Sequence, residues 1–371
     1  IMAYTTIDDP SAHFQIATYT GNGSTGQNII NDGNSDLQPD WVWAKRRDAT
    51  TSHGLVDSSR GVRKVLSSNG TDAEYAESAG NTLTAFLSDG FTVGADGNYT
   101  AFNANGSSIV AWQWKANGGS TTTNDASSTG VGNTDSVYQA NTTAGFSIVT
   151  WTGPSGSDAR TMAHGLGGTP ELIIYKNRDE SVAWYVGTSA ITFNFNTDYL
   201  QLNSTIAKAT DAGGTVFVSA PTSTVIGASS SAASGKENIK YVAYCFRSIQ
   251  GYSKIGSYTG NGNTDGPFVY TGFKPAWLMI KRTSGTENWV IWDNKRDPFN
   301  NFYHVLLANA NSAEDTTNTG SGGRYIGDFL SNGFKLRNTH DTSNGSGSTY
   351  IYMAFAEHPF VSSEGVPVTA R

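Results

Sequence analysis

The sequence predicts an all-β protein made of three tandem β-sandwich, jelly-roll-like units with a flexible linker after the first. Three observations lead there: the composition, an aromatic-Thr-Gly turn that recurs, and a proline-led apolar run that follows each copy. Of 371 residues only 15% are charged, against roughly 25% in an ordinary soluble domain. Glycine supplies 42 positions, and Asn, Ser and Thr fill the gaps between aromatic-rich runs, the pattern of short strands joined by many turns. Helix signals are poor; only 71–77 (Thr-Asp-Ala-Glu-Tyr-Ala-Glu) reads as a short helical turn.

Three stretches open alike, with Phe14 leading to Tyr19-Thr20-Gly21, Phe146 to Trp151-Thr152-Gly153, and Tyr252 to Tyr258-Thr259-Gly260, the third carrying one extra residue. Each is an aromatic and β-branched run closed by a turn signal, which reads as a strand and its exit. A proline-led run follows each: Pro39-Asp40-Trp41-Val42-Trp43-Ala44-Lys45, Pro170-Glu171-Leu172-Ile173-Ile174-Tyr175-Lys176, and Pro275-Ala276-Trp277-Leu278-Met279-Ile280-Lys281. Proline is tolerated where a strand begins. These runs are apolar on both faces, so each strand must be covered twice, between two layers or between a sheet and a neighbouring unit. Closing strands around Ala111, Ala243 and Ala354 complete the copies at nearly equal distances from the turn glycines.

The join between the first two copies is longer than the next by the tract 117–141, rich in Gly, Ser, Thr and Asn. A tract with so little apolar content reads as a flexible linker. The boundaries that follow are residues 1–115, 142–249 and 250–360 for the three units, 116–141 for the linker and 361–371 for a C-terminal tail. On this reading the second and third units pack rigidly together, while the first sits apart or exchanges with a neighbour.

A formal charge of −7 argues against a surface that grips nucleic acid by releasing counterions from phosphate, and no apolar stretch is long enough for a spanning helix. The single cysteine, Cys245, allows no internal disulfide and falls in an apolar strand, so an inert thiol made in a reducing cytoplasm is expected. The opening residues show neither a basic nor an apolar leader region. No carboxylate pair suits glycoside cleavage: Glu74 and Glu77 stand close together but read as a solvated loop. The six histidines lack metal-ligand spacing, and His53 falls where the other copies place Trp184 and Trp289, a packing position. No catalytic, cofactor or metal residue is therefore assigned, and no enzymatic activity is expected. The Asn- and Asp-rich loops 31–36 and 261–266 are where Ca2+ would be sought, although neither matches a twelve-residue calcium loop and such residues favour turns on their own account.

One charged spacing recurs: Asp57 with Arg60, and Asp293 with Arg296, after their respective lysines, where the second copy has Thr188 and Ile191. This reads as an ion-paired turn or, alternatively, as a shared polar contact to a ligand. Trp292 and Tyr185 complete the candidate ligand residues, because an aromatic ring with a polar tip stacks on sugar faces.

The opening 2–10 (Met-Ala-Tyr-Thr-Thr-Ile-Asp-Asp-Pro), Tyr19-Thr20-Gly21-Asn22-Gly23, Leu37-Gln38-Pro39-Asp40-Trp41-Val42-Trp43, Ser88-Asp89-Gly90-Phe91-Thr92-Val93-Gly94 and Glu357-His358-Pro359-Phe360-Val361 together resemble a group of virion proteins from marine tailed bacteriophages. These are commonly called tail-fibre, capsid-fibre or structural proteins and are similar to concanavalin A-like (laminin-G-like) jelly rolls. The resemblance covers essentially the whole chain and transfers no catalytic residue. The second copy departs from it, lacking the Phe-Leu-Ser-Asp/Asn-Gly-Phe signature of 86–91 and 329–334, so its strands between Leu202 and Lys236 have no template. The resemblance implies a non-enzymatic head or tail appendage: a fibre or decoration protein, made in the host cytoplasm, released by lysis and resident in the virion. Its expected partners are other virion proteins, further copies of itself (a trimer foremost) and a host surface glycan, with no nucleic acid and no membrane insertion. A lectin-like carbohydrate-binding protein acting outside a particle is the second reading left open.

Overall fold

The structure, a computed structural model, describes residues 3–97, 101–317 and 325–368. The chain is all-β, and the same four-stranded antiparallel motif recurs along it. The opening strand (Phe14–Thr20) lies beside the closing strand (Ser108–Trp114), then the proline-led strand (Trp41–Arg46) and a fourth strand (Gly54–Asp57). Phe146–Thr152, Lys240–Phe246, Leu172–Asn177 and Tyr185–Thr188 repeat that order, as do Ser253–Thr259, Thr349–Pro359, Phe273–Arg282 and Trp289–Asp293. The turn glycine that ends each opening strand is required by close approach. A Cβ on Gly21, Gly153 or Gly260 would overlap the carbonyl oxygen of Ala104, Lys236 or Gly345 respectively.

Alternation sends successive side chains to opposite faces, and both faces of each sheet are covered. On one face each sheet packs over its own smaller layer. The first does so through Val42, Ala44, Val56 and Phe91, the second through Ile173, Tyr175, Ile226 and Cys245, and the third through Leu278, Ile280, Trp292 and Phe334. The smaller layer is Gln27–Ile29 with Gly90–Val93 and Leu83–Leu87 in the first repeat, and Phe268–Tyr270 with Gly333–Leu336 and Gly327–Leu330 in the third. In the second it is a two-stranded ribbon, Arg160–Ala163 with Val225–Ala228, so 202–236 departs from the other copies as its missing signature foretold.

The opposite faces meet in one common interior. Trp41, Trp43, Trp112 and Trp114 of the first sheet, Leu172, Ile174, Tyr244 and Phe246 of the second, and Trp277, Met279, Met353 and Phe355 of the third form a single buried cluster. Trp41 stacks on Tyr244 at 4.2 Å between centroids, and Trp114 stands edge-on to Trp277 at 5.6 Å. Aromatic side chains bury about 150–250 Å² each, so this interior accounts for a large share of the apolar burial.

Four sequence expectations are corrected. The first repeat does not sit apart, because its sheet supplies four tryptophans to the common interior. The tract 116–141 is not a flexible linker: Thr122–Asn124 and Ser136–Asn141 extend the second sheet to eight strands, and Ala126–Thr129 forms a short helix capped by Asp125. Its polar composition hid two sources of order, namely main-chain pairing to an edge strand and the Asp40 carboxylate, which accepts from the amides of Ala116, Gly118 and Gly119 at 2.6–2.8 Å. Residues 71–77 form no helix, only the strand Tyr75–Ala76. The closing strand of the third copy is also offset from its expected register. Phe355 pairs with Trp277 as Trp114 pairs with Trp41 and Phe246 with Leu172, so Tyr352, and not Ala354, corresponds to Ala111 and Ala243. Parts of the first segment and of the tail (1–2 and 369–371) lie outside the described residues.

Candidate functional site

The charged residues singled out by their spacing lie between repeats and not at the surface. Arg60 binds Asp57, its Nε on Oδ2, and also donates to Glu74 at 2.9 Å; Asp57, Arg60 and Asp293 are buried, as is Arg296. Arg178 of the second repeat closes the group with two 2.9 Å hydrogen bonds to Glu74, and Tyr244, also of the second, donates to Asp57 at 2.7 Å. The third repeat builds the same device against the first. Arg296 binds Asp293 at 2.6 Å and Glu314 at 2.7 Å, Arg47 of the first repeat binds Glu314 at 2.7 Å, and Trp112 donates its indole N–H to Asp293 at 2.9 Å. Burial alone would raise the Glu74 carboxyl, but the Arg178 hydrogen bonds and the Arg60 charge overcome it and hold it at about 2. Glu314 is likewise lowered against burial by Arg296 and Arg47.

These seams run in one rotational sense: second onto first, first onto third and, with the charges replaced, third onto second. The amides of Glu74, Glu314 and Lys208 donate to the carbonyls of Arg178, Arg47 and Thr283 at 2.7, 2.7 and 2.9 Å. Head-to-tail contacts that close on themselves make a ring, here inside one chain. At the charge-free seam, the Thr188 and Ile191 positions have no charge to pair. Lys208 instead binds Asp198 of its own repeat at 2.5 Å.

The three lysines that end the proline-led strands are buried at these seams. Lys176 donates to Thr71 O and Val182 O at 2.8 and 2.7 Å, and Lys281 to Thr205 O and Glu287 O at 2.8 and 2.5 Å. Lys45 donates to Arg46 O at 2.6 Å. Burial lowers Lys176 and Lys281 to about 7 and Lys45 to about 8.

His53 does occupy the position of Trp184 and Trp289. Those indoles donate across a seam to Ser67 O and Gln201 O at 2.8 Å. His53 accepts from the Trp43 indole on Nδ1 at 2.8 Å, which leaves the proton on Nε2 to donate to Leu307 O at 3.0 Å. The three acceptors are the second residues of a motif unnoticed in the sequence, Leu-x-x-Asn at Leu66–Asn69, Leu200–Asn203 and Leu306–Asn309. In it Asn69, Asn203 and Asn309 accept from the amides of His53, Trp184 and Trp289. Burial and the Lys45 charge lower His53 to about 3.

Asp57, Arg60, Asp293 and Arg296 are thus consumed by one another and by neighbouring repeats, and the ligand-contact reading gives way to the ion-paired one. Trp292 is buried, with its N–H on Tyr325 O at 3.2 Å, and is equally out of a ligand's reach. Tyr185 is half-buried against Tyr199. Glu74 is no solvated loop residue, as its pairing shows. Burial pushes the Cys245 thiol up to about 12. Among the described residues no three His, Cys, Asp or Glu side chains gather for a metal, and no helix is long and apolar enough to cross a membrane. Asp32 and Asp265 of the two calcium-candidate loops pair with Lys295 and Lys335 at 2.8 Å.

A cleft of about 410 Å³ lies between the first and third repeats. Phe14 and Ile16 of the first repeat and Asn294, Lys295, Pro298, Glu357 and His358 of the third line it. A further 270 Å³ continues it along Ile16 to Tyr19. Lys295–Asp32 and Lys274–Glu357 ion pairs, at 2.8 and 2.5 Å, pair four of its charges in place, and the Asp9 carboxylate accepts from the Ser11 and Ser35 hydroxyls at 2.6 Å. Sequence reasoning missed this cleft because its walls come from short segments of two repeats far apart in the chain.

Compared with known proteins, residues 9–359 match the family model described as a domain of unknown function, DUF7483, and the chain belongs to that family. No curated protein and no solved structure matches it.

Two expectations follow from the seams. Arg296→Met strands Asp293 and Glu314 without their shared cation and lowers the unfolding free energy by about 3–5 kcal/mol in urea titrations; a loss below about 1 kcal/mol contradicts the burial of the group. The second concerns pH. An unfolded imidazole takes up its proton near 6.5, whereas His53 resists protonation until about 3. The unfolded state therefore binds more protons within that window, and stability falls as pH drops through it. His53→Gln keeps an acceptor for Trp43 and a donor for Leu307 O, and flattens the slope between pH 6 and 4 by up to about 1.4 kcal/mol per pH unit.

Proposed function

We propose that this member of the family is a non-enzymatic structural protein of a bacteriophage particle, a head or tail appendage of the fibre or decoration type that also contributes to host attachment. The observation that carries this reading is the closed ring of three sheets around one aromatic interior, locked at its seams by buried arginine–carboxylate groups. Buried ionisable groups here fix geometry: Arg178 and Arg47 bind Glu74 and Glu314 across repeats. A ring that closes within one polypeptide gives a rigid block of threefold character, suited to repeated display on a symmetric particle, and the low-charge Asn-, Gly- and Thr-rich composition suits exposure outside a cell. In the particle its partners are other virion proteins, further copies of the chain and a surface glycan of the host.

The test is fractionation of purified particles. The chain is expected to band with intact particles in fixed ratio to the major capsid protein and to resist removal by high salt. Recovery only from the soluble lysate, with binding to soluble glycans, would overturn the particle assignment in favour of a free lectin.

A further inference from the structure

We propose that the free edge of the Phe14–Thr20 strand is a docking site for an extended, uncharged strand of a partner protein, which adds to the first sheet inside the cleft between the first and third repeats.

Hydrogen-bond parity and the way the chain fills its own seams single out this edge. In an antiparallel pair, alternate residues turn both main-chain groups to the same neighbour. Gly21 N–H donates to Ser107 O and Lys115 N–H to His13 O, at 2.9 and 3.0 Å. Given the register, Gln15, Ala17 and Tyr19 are therefore satisfied by the closing strand, and Ile16 and Thr18 point their amides and carbonyls outward. Among the described residues those outward groups meet no partner, and Thr18 is exposed.

The second repeat shows what such an edge accepts. Its equivalent residues, Phe146, Ile148 and Thr150, pair with Asn141, Gln139 and Val137 of the strand Ser136–Asn141. That strand lies in the seam against the first repeat, where Gln139 donates to Ser58 and Ser59 at 2.9 and 2.7 Å. By the Asp57 and Asp293 correspondence, Ser58 and Ser59 stand where the third repeat has Asn294 and Lys295, two residues of the cleft wall. In the remaining seam the connection 248–251 does the capping: Ser248 Oγ accepts from the amide of Ile255, the counterpart of Ile16, at 2.9 Å, and Ser248 N–H binds Glu171 at 2.6 Å. The chain itself thus covers the second edge along its length and the third at Ser253 and the Ile255 amide, while the edge of Phe14–Thr20 borders the cleft from Phe14 to Tyr19.

The chemistry of the occupant follows from the walls. Lys295 and Asp32, and Lys274 and Glu357, are already paired, and Asp9 is held by the Ser11 and Ser35 hydroxyls, so a charged side chain would have to compete with an existing contact to enter. The strand that fills the equivalent seam, Ser-Val-Tyr-Gln-Ala-Asn, carries no charge. Main-chain bonds supply affinity in strand addition and side-chain pockets supply selectivity.

The probe is the capped peptide Ser-Val-Tyr-Gln-Ala-Asn, titrated into the full chain while amide resonances are followed. Binding should shift Ile16 and Thr18, and N-methylation of alternate peptide residues should weaken it at least tenfold. Thr18→Pro removes only an outward amide, which an edge strand tolerates, and should also weaken binding at least tenfold without moving the unfolding midpoint. Thr150→Pro, at the covered edge, should lower that midpoint because its amide faces Val137. No shift at Ile16 and Thr18, binding that survives Thr18→Pro, or equal destabilisation by both prolines would overturn the proposal. So would dimerisation of the chain alone that Thr18→Pro abolishes, since the occupant would then be a second copy. The proposal does not depend on residence in a particle: absence from virions leaves the peptide result standing.

Discussion

A strand that is apolar on both faces has to be covered twice, and that constraint organises this molecule. The proline-led strands carry Val42, Ile173 and Leu278 into three separate sandwich interiors, and Trp41, Leu172 and Trp277 into a fourth that they share. None of the three sheets can bury its second face alone, so the repeats stabilise one another in the way of repeat proteins, where interfaces carry much of the stability. Here the array closes on itself and leaves no terminal repeat to cap.

The seams then have to admit polar main chain beside a large apolar core, and the fold meets this with a small set of devices used in rotation. A buried lysine, an indole or imidazole N–H and the Leu-x-x-Asn motif recur at each seam, joined at two of the three by an arginine–carboxylate group. Breaking such a buried group is costly, while its net contribution relative to well-packed apolar residues is small. Its value here lies in register: Glu74 and Glu314 fit only if each sheet meets its neighbour at one angle and offset. The second repeat, with Thr188 and Ile191, forms its seam without the arginine–carboxylate group, so packing and hydrogen bonds to main-chain carbonyls close the ring there.

Much of this architecture was legible in the sequence because it is local. Turn glycines, proline starts and aromatic alternation placed the opening and proline-led strands, although Pro275 lies at a register shift inside Phe273–Arg282 and does not begin it, and the absence of a polar face on those strands signalled a second covering layer. Asp57 with Arg60 and Asp293 with Arg296 were recognisable as turn pairs from spacing. Their burial was not, because the residues that seal them, Glu74, Glu314, Arg47 and Arg178, come from loops of unequal length and, for the arginines, from another repeat. The tract 116–141 misled for the related reason that an edge strand's hydrogen bonds can order a segment too polar to fold alone. The cleft escaped notice because its distinguishing feature is unpaired main chain, which no side-chain pattern encodes.

Three sheets share one interior and hence one fate. Native-state hydrogen exchange addresses it most directly, by comparing Val42, Ile173 and Leu278 across increasing denaturant. One interior predicts that all three amides exchange through a common global opening, with free energies within about 1 kcal/mol and a single denaturant dependence. Three distinct opening energies, each with its own smaller denaturant dependence, would mean that the sheets unfold as separate domains, and would contradict the account.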